Sequence, residues 1–162
     1  MGLLEIKKYP NPILREKCSS VKEITEEIKK LIKNMFETMY ANDGVGLAAP
    51  QVGIKKRVIV VDVGQMPIAL VNPKILKKKR KTWSMTEGCL SLPEIAVEVK
   101  RPQEVEIEGL DKYGKKVNMK VSGFLSRSLQ HEIDHLDGIL IIDKVGFLKK
   151  RRLIKQLMKI TS

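Results

Sequence analysis

Apolar residues recur at helical spacing between Thr25 and Tyr40, where Ile28, Leu31, Ile32, Met35 and Met39 fall on one face. Thr25 can cap this helix, and Glu26 and Glu27 place negative charge in its first turn. The period then changes. Arg57 to Val63 is rich in β-branched residues and predicts a buried strand, and Ile68 to Asn72 predicts a second, ended by Pro73. Three later stretches alternate. Ile95, Val97 and Val99 are interleaved with Ala96 and Glu98; Val105 and Ile107 with Glu104, Glu106 and Glu108; Val117, Met119 and Val121 with Asn118 and Lys120. Each predicts a half-buried strand with one wet face, and Asp111-Lys112-Tyr113-Gly114 turns between the last two. Helical spacing returns from Ser122, a possible cap, to Leu136, with Gly138 just past the end. Ile139 to Ile142 predicts a short apolar strand, and Phe147 to Ile160 a basic amphipathic helix. Antiparallel strands between separated helices make an α+β domain. The expected architecture is mostly antiparallel strands around a central helix, Ser122 to Leu136, with one helix near each end of the chain.

A chain of 162 residues suits one domain, residues 1–162, in which 146–162 form the basic C-terminal helix. Its 43% hydrophobic and 31% charged content marks a globular protein. No apolar run is long enough to span a membrane, so no membrane partner is expected. The N-terminus lacks the basic start and apolar core of a signal peptide, and Ile6 stands where a myristoylation signal needs Ser or Thr. Cys18 and Cys89 are too few for a disulfide scaffold. These features point to a cytoplasmic location. The formal net charge is +12, concentrated in Lys74 to Lys81 and in Lys149, Lys150, Arg151, Arg152, Lys155 and Lys159. Such clusters fit either a solvated surface or contact with a polyanion such as RNA.

Residues 130 to 135 read Gln-His-Glu-Ile-Asp-His and contain the only two histidines. On the central helix His131 and His135 share a face and can reach one metal ion, with Glu132 placed to move protons to and from metal-activated water. A catalytic metal usually takes three protein ligands. No glutamate and no third histidine follows Glu132, which leaves Asp137 and Asp143 downstream and Cys89 upstream as candidates. Gly44-Val45-Gly46-Leu47-Ala48-Ala49-Pro50-Gln51 formally fits a dinucleotide fingerprint. It follows a helix rather than a strand, and Pro50 and Gly53 argue against a continuing helix, so no dinucleotide is expected. The glycines instead allow backbone to come close to a ligand, and Gln51 offers an amide donor.

Gly44 to Gln51, Glu87-Gly88-Cys89-Leu90-Ser91 and Gln130 to His135 together closely resemble the three motifs of peptide deformylases, in their order. Tyr9 to Arg15, Arg101-Pro102 and Leu136-Asp137-Gly138 extend the resemblance over nearly the whole chain. The resemblance implies an enzyme that removes formate from the N-terminal formylmethionine of new polypeptides. It implies Cys89, His131 and His135 as ligands of one divalent ion, Fe²⁺ in the cell, with Zn²⁺, Ni²⁺ or Co²⁺ able to replace it. It implies Glu132 as general base and then acid, and Gln51 with the backbone N–H of Leu90 as oxyanion donors. Gly46, Val45, Glu87 and Gly88 are the expected substrate-binding positions, and Glu87, Arg101 and Asp134 are placed to orient ligands. Val45, Met85, Phe124 and Leu125 are candidates for an apolar methionine pocket. Some relatives carry Gly directly after Pro93, where this chain has Glu94. The basic C-terminal helix suggests docking on the ribosome near the nascent-chain exit; the competing reading is a helix that covers the core through Leu148, Ile154 and Leu157.

Overall fold

The structure, a computed structural model, describes residues 2–161. Helix α1 spans Glu26–Ala41, α2 Gly123–Leu136 and α3 Phe147–Thr161. The strands are β1 (Gly46–Ala48), β2 (Val58–Val61), β3 (Ile68–Lys78), β4 (Thr82–Cys89), β5 (Leu92–Pro102), β6 (Glu104–Leu110) and β7 (Lys116–Ser122). They form a five-stranded sheet in the order β1-β2-β3-β6-β7 and a separate hairpin, β4-β5, all antiparallel. The α+β expectation holds.

The apolar patterns explain the layering. Strand β2 is buried at all four positions because helices cover both faces of the sheet. Val58 and Val60 join Ile28, Ile32, Met35 and Met39 of α1 in one core cluster. Ile59 and Val61 join Leu129, Ile133 and Leu136 of α2 in another. A third cluster packs the alternate residues Ile95, Val97 and Val99 of β5 against Leu140, Ile142, Leu153 and Leu157. The central helix therefore has the sheet on one side and leaves its histidine face toward the β4-β5 hairpin.

Local signals account for the ends. The Thr25 hydroxyl accepts a hydrogen bond from Ile28 N at 3.3 Å, as an N-cap should. Ser122 occupies the N-cap of α2 but makes no side-chain capping bond. Strand β3 runs through Pro73 to Lys78 rather than ending there. Asn72 takes a φ of 53°, the register shifts between Val71 and Lys74, and the Asn72 side-chain amide bonds to both backbone groups of Val21 while its backbone N–H donates to Arg57 O. A proline without an N–H is tolerated at such a bulge. Ile139 to Ile142 is not a strand: Ile141–Lys144 is a single 3₁₀ turn. The Asp143 carboxylate accepts from Leu140 N at 2.9 Å and closes the turn. The core-covering reading of α3 is partly met: Leu157 is buried and Ile154 packs half-buried against the third cluster, while Leu148 is 73% exposed, and Leu153, which that reading did not name, is buried as well.

Asp143 also pairs with Arg15 and Lys150, tying the N-terminal segment to α3. Burial alone would raise its carboxyl, but bonds from Arg15, Leu140 N and Lys150 outweigh that and hold it at about 2. A lowered folded value stabilises the fold above the ordinary carboxyl range, and this contribution disappears as pH falls toward 2. Asp143→Asn should therefore lower the unfolding free energy at pH 7 by about 1 kcal/mol or less, with the gap to the unsubstituted chain closing at low pH in denaturant titrations.

Candidate metal centre and cleft

The two elements that carry the candidate ligands meet along one edge of α2. Cys89 is the last residue of β4, and His131 and His135 stand one turn apart on α2. The three donor atoms, one sulfur and two ring nitrogens, all lie within 4.8 Å of one another. Cys89 Sγ is 3.3 Å from His135 Nε2. His131 directs Nδ1 to Glu87 Oε1 at 2.9 Å, which leaves its Nε2 for a ligand. These separations and the thiol-imidazole donor set suit a tetrahedral ion with one open position. Among the described residues no other such cluster occurs. Asp137 pairs with Arg57 and Asp143 with Arg15, so neither downstream aspartate completes the group.

Glu87 is the centre of a buried charge array. Arg101 donates to it from Nε at 2.6 Å and Nη2 at 2.9 Å, and reaches Asp134 through Nη1 at 2.8 Å. Arg127, 1% exposed, donates Nη1 to the same carboxylate and to Val99 O, and Nη2 to Trp83 O. Its guanidinium carbon also lies 5.0 Å from the Trp83 ring centre. Burial would raise the Glu87 carboxyl, but the bonds from His131 and Arg101 prevail and set it at about 2. Arg101 is no surface ion pair: it is 4% exposed. Arg127 was not foreseen. Its signal was available, because Arg127 stands four positions before His131 and eight before His135, on the same face of the helix.

Glu132 has the opposite environment. It is 5% exposed, its Oε1 has no hydrogen-bond partner, and burial pushes its carboxyl up to about 7. A Cβ on Gly46 would come within 2.5 Å of Glu132 Oε2, so only glycine lets this backbone pass so close. Gln51 sits in the 3₁₀ turn Ala49–Val52, which ends at Gly53 as the sequence suggested. Its Oε1 accepts from Ala48 N at 2.9 Å, and its Nε2 donates to Ser91 Oγ at 3.1 Å and points to Cys89 Sγ at 3.5 Å. Ser91, fully buried, is a second residue the sequence reading passed over except as part of a motif.

An open cleft of about 410 Å³ runs over this group, lined by Val45, Gly46, Gln51, Glu87, Gly88, Cys89, Leu90, Phe124, His131 and Glu132 among others. All four expected substrate-binding positions are thus on its wall, with Leu90 in the turn after β4. Of the residues expected in an apolar pocket, Val45 and Phe124 line the cleft. Met85 and Leu125 do not; Leu125 packs into the core beneath the main sheet.

A ligand set open on one side to a cleft, beside a buried carboxyl titrating near neutrality, places the molecule among the metal-dependent hydrolases. Comparison with known proteins narrows the class. The family model described as polypeptide deformylase matches residues 3–151. The peptide deformylase of Thermodesulfovibrio yellowstonii is 50% identical over 155 residues, covering 93% of each chain. The crystal structure of peptide deformylase from Ehrlichia chaffeensis superposes with a TM-score of 0.95 at 35% identity, covering 98% of this chain and 97% of that one. That of Thermotoga maritima gives 0.87 at 44% identity, covering 89% and 98%. The chain belongs to the polypeptide deformylase family. It is an enzyme that hydrolyses the formyl group from the N-terminal methionine of newly made proteins.

Because Glu87 neutralises two buried guanidinium groups and fixes His131, Glu87→Gln should act on both stability and metal binding. We expect a loss of about 3 kcal/mol in unfolding free energy. Chelator competition with Zn²⁺ should show a 10- to 100-fold weaker site, on the order seen when such supporting bonds are removed.

Proposed function

We propose that Cys89, His131 and His135 hold the catalytic divalent ion of this deformylase, with Glu132 transferring protons and Gln51 and Leu90 N–H receiving the oxyanion. The observation that carries the reading is the ligand atoms' convergence, within 4.8 Å, beside a carboxyl raised to about 7. A divalent ion held there supplies Lewis acidity, making hydroxide available near neutral pH and drawing charge from a carbonyl oxygen.

The residues of the chain do the rest. Glu132 takes a proton from the attacking water as that water adds to the formyl carbon. A carboxyl near 7 can both accept and return a proton at physiological pH. Negative charge then grows on the formyl oxygen. Gln51 has one Nε2 hydrogen committed to Ser91, and the second is directed at the cleft side, toward Cys89. That hydrogen and the Leu90 N–H can meet the charge, and one fixed donor is typically worth about 3 kcal/mol. As the carbon-nitrogen bond breaks, Glu132 gives its proton to the leaving nitrogen, so formate and a free N-terminal amine depart. Gly46, whose own backbone lies against Glu132, would present backbone groups to the substrate, Gly88 leaves room on the cleft wall, and Val45 and Phe124 offer apolar surface to the methionine side chain. Glu87 serves the substrate indirectly, since its carboxylate is committed to His131, Arg101 and Arg127.

One thiolate and two imidazoles accept iron, zinc, nickel or cobalt, and the family resemblance favours Fe²⁺ in the cell. The chain works as a single catalytic domain in the cytoplasm. Helix α3 is the proposed ribosome contact: Leu153 and Leu157 are buried, while Arg151, Arg152 and Lys155 are exposed on the outer face with Phe147 and Leu148.

Two outcomes follow. Glu132→Gln should retain one ion per chain in metal analysis while formate release from formyl-Met-Ala falls about 100- to 10,000-fold. Truncating α3 would expose the Leu153 and Leu157 contacts, so the ribosome reading is better tested by replacing Arg151, Arg152 and Lys155 with Ser. Ribosome co-sedimentation should weaken and lose salt dependence, with turnover of small formyl peptides retained.

A further inference from the structure

Helix α2 lines the cleft with Phe124, Ser128 and Glu132, which stand four residues apart and share one face. Phe124 offers apolar surface, and Glu132 is the proton-transfer group proposed above. Ser128 lies between them, about 6 Å along the helix from Glu132. It is 5% exposed, yet it lines the cleft, and its hydroxyl makes no hydrogen bond among the described residues. Other helical hydroxyls find partners: Thr38 donates to Asn34 O at 2.7 Å, and Ser126 Oγ accepts from Gln130 Nε2 at 3.0 Å.

A second donor beside it is also unused. Arg127 Nε is buried without a partner, although the other guanidinium nitrogens bond to Glu87, Val99 O and Trp83 O. This turn of the cleft wall therefore holds two unmatched donors. Buried donors are seldom left unmatched in folded proteins, and the one that faces a cleft can be matched by what enters it.

The thioether of methionine matches it poorly, because sulfur is a weak acceptor. Methionine sulfoxide carries a polar acceptor oxygen on the same atom. From formyl carbon to sulfur, an extended formylmethionine reaches roughly 6 Å. With the formyl carbon beside Glu132 and the side chain running toward Phe124, the sulfur arrives at Ser128. We propose that Ser128 lets this enzyme deformylate chains that begin with formylmethionine sulfoxide, its hydroxyl donating to the sulfoxide oxygen. This rests on the deformylase site described above and adds a second substrate class to it. The bonds made and broken are the same: water adds to the formyl carbon, the carbon-nitrogen bond breaks, formate leaves, and the sulfoxide is unchanged. A wholly apolar wall would bury that oxygen unpartnered and reject it.

The test compares kcat/KM of the metal-loaded enzyme for formyl-Met-Ala and for the two separated sulfoxide epimers of the same peptide. The better epimer should be used within about tenfold of the methionine peptide, the scale of one hydrogen bond. Sulfoxide sulfur is chiral, so one fixed donor should favour one epimer severalfold. In Ser128→Ala the ratio of oxidised to unoxidised peptide should fall about tenfold, mainly through KM, and the epimer preference should vanish. Alanine suits a helix interior at least as well as serine, and an undiminished thermal midpoint separates lost selectivity from lost folding. Rejection of both epimers by the unsubstituted chain, about 100-fold or more, overturns the proposal, as does a ratio that Ser128→Ala leaves unchanged. Absence of formate from formyl-Met-Ala itself would instead overturn the reading of the site.

Discussion

A single buried carboxylate, Glu87, holds together the two parts of the molecule that supply the candidate metal ligands. Cys89 belongs to the β4-β5 hairpin, which shares no backbone ladder with the main sheet. The histidines belong to α2, whose apolar face is fixed to that sheet. Metal ligands must be registered to a few tenths of an ångström, and packing of apolar surfaces alone is too permissive for that. Glu87 supplies the registration, taking Arg101 from the hairpin and Arg127 and His131 from the helix. Arg127 closes the same joint from the other side through the carbonyls of Val99 and Trp83. Arg127, Glu87, Arg101 and Asp134 alternate in sign, so the array is neutral overall, and its partners offset the desolvation that an isolated buried carboxylate would suffer.

The chemistry of the site follows from the contrast between two carboxyls on adjacent walls. Glu87 is buried among cations and stays ionised, which suits a residue that must orient an imidazole. Glu132 is buried against the bare backbone of Gly46, with one oxygen unpartnered, and is raised to about 7, which suits a residue that must pick up and release a proton. Environments that push like groups apart in this way commonly separate structural from reactive roles. The glycine-rich segment serves the same end. It brings backbone to Glu132 at Gly46 and, a turn later, sets Gln51 between Ala48 and Ser91 so that its amide orientation is determined.

Much of this was legible in the chain because it rests on periodicity and spacing. The α1 and α2 stripes and the alternating strands of the second half have the expected form in space, and of Arg57 to Val63 the stretch Val58–Val61 is the strand buried on both sides. Other features lay outside what pattern can carry. Strand β4 buries only Glu87 along its length, so it shows no alternation, although it carries the candidate ligand Cys89. The run Ile139 to Ile142 is apolar enough for a strand, but Asp143 closes a turn on Leu140 N and the run packs against α3 and β5. Pro73 predicted an end to β3, and the bulge at Asn72 absorbed it instead. The ligand trio and its neighbours could be named from motifs. That Arg127 and Arg101 share one carboxylate depends on a tertiary contact between hairpin and helix, which no local spacing encodes.

The claim on which the rest depends is that Cys89 and the two histidines bind one ion together. Zinc-edge X-ray absorption on the zinc-loaded enzyme measures this directly. The account predicts an inner shell with one sulfur at about 2.3 Å and two imidazole nitrogens at about 2.0–2.1 Å, completed by a light oxygen ligand. A shell of nitrogen and oxygen alone, with no sulfur, would contradict it.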